Sequence, residues 1–399
     1  MILNHDIPKL SDLDKEIISH VPPGGNWQDI PEDVPSKRLE QIREMTKERG
    51  VVRTTYYGRL LKTQPSYTIS TYYNRPGNGT HIHPDHDRTL TSREAARLQS
   101  FPDSYKFYGN EGKVRKQIGN AVPPLLSHAI GKKLKEIEGN STMVDVFCGA
   151  GGLSLGLEWS GWNSLVAIDN DKEALETYKN NRKNSPVILN SDLQINSTLE
   201  ACVEEIRNQL NGRQLHLMAG GPPCQGFSHA GFRKSDDMRN DLAVNYLRFA
   251  ELLKPKIFLL ENVEGLLTMK KGEVIRDLSK SLEEIGYRVN SPVWKLHAEQ
   301  YGVPQMRRRV FLIGILNDEK KITQPPPLLN PCLGRRKKSN QLVFSENLMS
   351  PITVGEAFHN LSTSSNGQEC SSDYSEWVSG RKGLSDFLNS KRITDRHKL

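Results

Sequence analysis

Four stretches of the chain carry residues whose types and spacing could do chemistry. In AGGPPCQGFS, Ala219 to Ser228, two glycines and two prolines precede a lone thiol, Cys224. Proline locks φ and removes a donor, so Cys224 is presented in a pre-set orientation, as a nucleophile needs. In FLLENVEGL, Glu261 follows a run of apolar residues. A carboxylate at the end of a buried strand is costly unless it is paired or working. In YGVPQMRRRVFLIG, Arg307 and Arg309 alternate with Arg308, so on an extended segment they share a face. In VDVFCGAGGLSLG, Gly149, Gly151 and Gly152 lie between an apolar run and a helical one, where backbone N–H groups would face a ligand. Asp169 ends the next apolar run about twenty residues after the first glycine, the place where a carboxylate meets a ribose diol.

Each stretch also has a plain reading. Cys224 could be a buried thiol, Glu261 a surface carboxylate past its strand, the arginines a solvated patch and the glycines a tight turn. The glycine pattern is not the dinucleotide GxGxxG, because Ser154 stands at its last position, and this disfavours a nicotinamide dehydrogenase. Cys148, inside the glycine turn, is the rival thiol and is better placed to pack than to attack.

The elements that must position these residues alternate. MVDVF, SLVAID, QLHLMAG, PKIFLLEN and VFLIGIL predict strands, with LSLGLEWSG and DKEALETYKNN as helices between the first ones. Strands separated by helices argue for a mostly parallel sheet in an α/β fold. Thr91 and Glu94 form a capping-box pattern opening the helix REAARLQSF, which Pro102 stops. A second helix is predicted over LLSHAIGKKLKEIEG, ended by Gly139. Residues 1–88 show little sustained helical period, and past about residue 316 the chain turns irregular, with QPPP, RRKK and Ser-rich stretches.

Composition bounds the answer. The chain has 399 residues, 36% hydrophobic and 25% charged, which fits a globular protein of two or three domains. Lys and Arg number 54 against 47 Asp and Glu, a net charge of +7 that permits a polyanionic partner without requiring one. The five cysteines are scattered and form no CxxC, which argues against a disulfide framework or a zinc site. His81, His83 and His86 do not by themselves make a metal centre, and no metal is expected. The opening MILNHDIPKLSD has neither a basic nor an apolar leader region, and no apolar run reaches membrane-span length, so a cytoplasmic protein away from membranes is expected.

Taken together, the motifs resemble those of the DNA cytosine-5 methyltransferases of bacterial restriction–modification systems. The residues that carry the likeness are FCGAGG (147–152), GPPCQGFS (221–228), ENV (261–263), QMRRR (305–309), RTLTSREAARLQSFPD (88–103) and QIGNAVPP (117–124). The last two stand at the end of the chain in that family and come first here, so the order resembles a circular permutation closed through the linker GNST (139–142). Termini placed at exposed loops are where permutation is best tolerated.

The resemblance implies a Rossmann-like S-adenosylmethionine-dependent domain with a mostly parallel sheet, beside a smaller, irregular target-recognition domain. It implies the division 1–88 (part of the recognition region), 89–138 (permuted motifs packing on the catalytic domain), 139–320 (catalytic domain) and 321–399 (connector and the remainder of recognition). Phe147, Gly149, Gly151, Asp169 and Asp192 would line the S-adenosylmethionine pocket, completed by Asn120, Ala121 and Val122. Cys224 would attack C6 of cytosine, Glu261 would bond N3 and the exocyclic amine, Arg309 would hold O2, and Arg307 would help position Cys224 and the base. Gln225 would help hold the displaced position of the flipped base. In the Tyr-rich and Arg-rich stretch before residue 88, Arg53, Arg59 and Arg75 are the candidate DNA contacts. The partner would be double-stranded DNA, the enzyme a monomer, and a cognate endonuclease its functional companion. An RNA cytosine-5 methyltransferase on the same fold and a non-catalytic DNA-binding relative are the alternatives.

Overall fold

The computed structural model describes residues 3–182, 186–223, 242–317, 322–332, 348–359 and 361. They fall into two compact units. One is drawn from Met1–Asn120, Gly302–Arg307 and Leu328–Leu399, the other from Ala121–Tyr301 and Arg308–Pro327.

The first unit is more helical at its start than the sequence suggests. Helix α1 (Asp12–Ser19) is capped by the Ser11 side chain, and α2 (Lys37–Arg49) runs from Ser36 to a left-handed Gly50. Both are short and mostly polar outside, so they show little period in the sequence. Ile17, Ile18, Leu39 and Ile42 on their inner faces close a small core with Trp27, Tyr57 and Ile82. Strands β1 (Gly58–Arg59) and β2 (Thr80–Ile82) pair in parallel. Helix α3 (Ser92–Leu98) has the expected Thr91–Glu94 capping box, and α4 (Glu111–Asn120) carries the QIGN residues.

The boundaries expected at residues 88 and 138 are not those of the structure. Residues 89–120 belong to the first unit. The reason is a set of long-range bonds from inward-pointing side chains. Arg93 reaches the Leu3 and Tyr105 carbonyls at 3.0 and 2.6 Å. Arg97 reaches those of Ala357 and His359 at 3.0 and 2.8 Å. Gln305, on the short insert Gly302–Arg307, donates to Leu98 O at 3.0 Å and accepts from Ile69 N at 2.9 Å.

The second unit is a doubly wound sheet. Helix α5 (Pro124–Lys135) leads to β3 (Thr142–Val146), α6 (Gly152–Trp159), β4 (Asn163–Asp169), α7 (Lys172–Asn180), β5 (Val187–Asn190), α8 (Asn196–Leu210) and β6 (Leu217–Gly220). After it come α9 (Leu242–Leu253), β7 (Ile257–Val263), α10 (Glu273–Glu284), β8 (Tyr287–Val289), β9 (Trp294–His297) and β10 (Arg308–Leu316). The strand order is β5-β4-β3-β6-β7-β10-β8, with β9 also on β10. Strands β3 to β7 are parallel, and β10 is antiparallel to its neighbours.

Strand period two sorts the faces. Val144 and Val146 join Val166, Ile168, Met218 and Phe258 against the apolar stripes of α8, α9 and α10. Asp145 and Ala167 turn to the opposite face, where Cys148, Leu175 and Tyr178 pack. On that side α5 and α6 touch at backbone distance. A Cβ on Gly156 would lie 2.0 Å from Pro124 O, and Trp162 donates to Gly131 O at 3.1 Å. The chain order reverses between β3 and β6, and ligands of open α/β sheets sit at the carboxyl ends of the strands at such a reversal.

Candidate active site

The glycine turn lies at that reversal. Phe147 has φ +61°, an uncommon conformation for a side-chain-bearing residue, and it meets Tyr246 edge to face at 5.9 Å. Gly149 and Gly151 follow at φ +52° and +83°, and Gly151 N donates to Cys148 O at 2.9 Å to close the turn. These left-handed positions explain the glycines. A Cβ on Gly149 would meet nothing within 4 Å, so this side of the turn is open to a ligand. Asp169, at the end of β4, accepts from Gly149 N at 2.8 Å and from Asp171 N at 2.9 Å. A backbone bond from Asn170 also reaches the carboxylate, which leaves part of its accepting capacity for a hydroxyl donor. Burial is the largest influence on its carboxyl and raises its pKa. Asp192, after β5, is exposed and accepts from Gln194 N at 3.0 Å. Ala121 is half-buried and Val122 buried in this unit, while Asn120 ends α4 in the first.

The chemistry-bearing pair lies on β7 and β10. Arg309 stands opposite Val263 in that ladder, and Glu261 opposite Phe311. Arg309 Nε meets Glu261 Oε1 at 2.8 Å, with the two side chains 14% and 12% exposed. The loop after β6 passes beside them. Asn262, buried, donates to Pro222 O at 2.9 Å, and a Cβ on Gly221 would lie 2.9 Å from Glu261 Oε2. Description stops at Pro223, so Cys224 and Gln225 lie outside the described residues. Of the described thiols, Cys148 is buried and its pKa is pushed well above the ordinary thiol value by burial, with Asp169 and Asp145 adding to it. A thiol held protonated is a poor nucleophile.

One strongly perturbed acid is not among the residues singled out from the sequence. Asp145, in strand β3 two residues before Phe147, is 1% exposed. Burial pushes its pKa up to about 7, against the lowering influence of Ser154 and Arg182. Its signal was a charged residue inside an apolar strand.

The first unit holds the remaining expected residues. Arg307 is 1% exposed and donates to Ile69 O at 3.2 Å and Gly119 O at 3.0 Å, a grip on the peptide that precedes Asn120. Arg53 and Arg75 are exposed; Arg53 donates to the Tyr56 hydroxyl at 3.3 Å, and Arg75 stacks on Tyr72 at 5.3 Å. Arg59 requires a correction. It is 5% exposed, and its guanidinium donates to Val21 O, Ile18 O, His83 O, His86 O and Asp87 Oδ1 at 2.6 to 3.1 Å. With every donor committed inward, Arg59 is a strut of the first unit and not a DNA contact. Among the described residues, no cluster of three or more His, Cys, Asp or Glu is placed to hold a metal ion, and no helix is long and apolar enough to cross a membrane.

The parallel strands, the antiparallel β10 next to β7 and the glycine turn at the reversal define a Rossmann-like methyltransferase fold. The C-5 cytosine-specific DNA methylase family matches residues 11–136 and 141–379, and the chain belongs to that family. Type II methyltransferase M.AgeI of Thalassovita gelatinovora is 42% identical over 186 residues, 46% of this chain and 41% of that protein. Type II methyltransferase M.DdeI of Desulfomicrobium norvegicum is 37% identical over 191 residues, 46% of this chain and 43% of that protein. The matched stretches thus span less than half the length of either relative. Among solved structures, the Entamoeba histolytica methyltransferase EhMeth is similar at 20% identity and a TM-score of 0.35, over 47% of this chain and 57% of that one.

Proposed function

We propose that the protein transfers a methyl group from S-adenosylmethionine to C5 of a cytosine flipped out of a specific double-stranded DNA sequence. The observation that carries this is the Glu261–Arg309 pair. It lies beside a loop that Asn262 anchors at Pro222, two residues before Cys224. S-adenosylmethionine supplies a methyl group on a sulfonium, an electrophile that C5 of cytosine is too weak to attack unaided. Phe147, the open face of Gly149, Asp169, Asp192 and the Asn120–Val122 segment are the residues that would hold it, Asp169 through the ribose hydroxyls. The glycine turn's vacant side and Asp169's remaining lone pairs fit such a ligand.

The thiolate of Cys224 adds to C6 and moves an electron pair toward C5. C5 would take the methyl group as the sulfonium's carbon–sulfur bond breaks and leaves a neutral thioether; the C5 proton would then pass to water, and the returning electron pair would expel the thiolate. Glu261, bonding N3 and the exocyclic amine, and Arg309, bonding O2, stabilise the charge that shifts onto the ring. Their short contact supports a pre-set geometry that needs little reorganisation. Burial of Cys148, which pushes its thiol pKa up, supports the choice of Cys224 as nucleophile. A duplex hides C6, so the base must leave the stack at a cost of a few kcal/mol. Arg307 serves by holding the Gly119 carbonyl, and with it the approach to Asn120.

The motif order supports a circularly permuted chain, and the close packing of α5 on α6 supports the direct join through GNST. The biological setting proposed is protection of host DNA in the cytoplasm, as a monomer, alongside a cognate endonuclease. The test is methyl transfer from isotope-labelled donor to duplex DNA by wild type and Cys224→Ser. Wild type should label DNA and form a covalent complex with duplex containing 5-fluorocytosine. The variant should do neither while still binding the donor. Labelling of DNA by the variant at a tenth of the wild-type rate or more would overturn the mechanism, and labelling of tRNA in preference to duplex DNA would overturn the substrate.

A further inference from the structure

Ser154 breaks the dinucleotide fingerprint, and the methyl-transfer chemistry gives it no role. In that fingerprint the third glycine lets helix and strand pack closely. Here the position carries a fully buried hydroxyl. It donates to Gly151 O at 3.3 Å and accepts from Arg182 Nη2 at 3.2 Å. Arg182, just past the end of α7, also donates from Nη2 to Gly151 O at 2.8 Å. Its Nε pairs with Glu158 Oε2 on α6 at 2.9 Å, the two side chains being 3% and 16% exposed. Its guanidinium lies over the Tyr178 ring at 4.4 Å. Glu158 is steadied in turn by Ser164 Oγ at 2.7 Å, and the Tyr178 hydroxyl meets the same Ser164 at 3.3 Å.

This network grips the turn from behind. A peptide unit is planar and trans, so its carbonyl and the following N–H point in opposite directions. Gly151 O takes the first helical bond, from Leu155 N at 2.9 Å, and Arg182 and Ser154 add to that hold, which aims the Gly152 N–H the other way. Gly152 opens α6, so this N–H is one of the donors a helix start leaves without an intrahelical partner. The guanidinium's planar fork can tie the turn and the helix behind it at once, which a lysine ammonium on a flexible stem does less well.

We propose that Arg182 and Ser154 are positioning residues that set the glycine turn for S-adenosylmethionine. This inference rests on the reading of that turn as the methyl-donor site. Donor affinity then depends on two residues that never touch the donor.

The experiment uses the full chain and S-adenosylmethionine itself. Calorimetry gives the donor Kd, and turnover of duplex DNA gives KM for the donor and kcat. Arg182→Met should raise Kd and KM about tenfold, which corresponds to roughly 1.4 kcal/mol, the scale of one charge-assisted hydrogen bond. Arg182→Lys should recover part of that loss, and Ser154→Ala should raise Kd about threefold on its own. The loss should fall on KM for the donor and not on kcat at donor saturation. Wild-type donor affinity in both Arg182→Met and Ser154→Ala would overturn the proposal, as would a fall in kcat at unchanged KM. Should Arg182→Met fail to fold, as judged by its melting curve, Ser154→Ala and Arg182→Lys still decide the matter. A wild-type chain that binds no S-adenosylmethionine would overturn instead the reading on which the proposal rests.

Discussion

Arg59 gives the sharpest contrast between a basic residue that builds the protein and one that can meet DNA. Replacing it with methionine keeps most of the stem volume and removes the five N–H donors. The carbonyls of Ile18, Val21 and His83, all buried residues, then lose their partners, and Asp87 loses its cation. Orphaning a buried acceptor costs about 1 kcal/mol or more, and removing one partner of a buried charge network costs about 3–5 kcal/mol in all. For a unit of this size each kcal/mol lowers the melting temperature by roughly 2–4 °C. The expected fall is therefore on the order of 10 °C, measured by calorimetry or by near-ultraviolet circular dichroism. Arg53→Met is the control. Arg53 is exposed and donates to the Tyr56 hydroxyl, so its loss should move the melting point by about 2 °C or less. If Arg59→Met melts with the wild type and instead weakens DNA binding, the structural assignment of Arg59 is wrong.

Three further outcomes can be measured. The double variant Arg53→Ala, Arg75→Ala should bind duplex DNA more weakly and flatten the dependence of log Kd on log salt, by about 0.9 for each phosphate that is no longer neutralised; an unchanged slope would remove both from the DNA-facing set. Asn262→Leu should leave donor affinity intact and lower single-turnover methylation by about tenfold to a hundredfold, because Pro222 O loses the bond that fixes the loop before Cys224. A normal single-turnover rate would show that the loop needs no such anchor. Asp145 should make stability fall as pH rises. Its native pKa, about 7, stands above its unfolded value of 3.8, so its contribution is full below pH 3.8 and is lost as pH climbs toward 7. Asp145→Asn should remove that slope from the urea midpoint between pH 4 and 8, and an identical slope in the variant would place the titration elsewhere.

The parts of this protein that could be read from its sequence are those whose cause is local. Gly149 and Gly151 are glycines because their φ values are positive. Thr91 and Glu94 cap α3 because the side chains that satisfy its first N–H groups lie within one turn. The apolar runs became strands β3, β4, β6, β7 and β10 in the expected sequence order. Strands β8 and β9 stayed hidden, since Arg288 and Lys295 interrupt pieces of three and four residues, whereas the equally short β6 is apolar throughout, and α1 and α2 were lost among polar residues. The fate of the arginines was least legible. Arg59 and Arg53 sit in the same Tyr-rich stretch, six positions apart, and nothing in their neighbours says which of them faces inward. The Arg307 bonds to Ile69 and Gly119 span 238 and 188 residues, so no window of sequence contains them.

That illegibility bears on how the chain meets a polyanion. A net charge of +7 suggests a basic surface, but the arginines with the most bonds are turned inward. Arg93, Arg97, Arg307, Arg59 and Arg88 are each at most 7% exposed. Several of them neutralise an acid, as Arg88 does Glu94 and Arg97 does Asp103. Others bind main-chain carbonyls. Carbonyl-bound arginines count in the total yet cannot touch a phosphate. Formal charge therefore overstates the number of counterions that DNA binding can release, and the number of exposed cations sets the salt slope. The same inward arginines hold together a first unit built of short strands, short helices and irregular loops. Their planar forks supply, across long sequence separations, the backbone bonds that regular secondary structure would otherwise make.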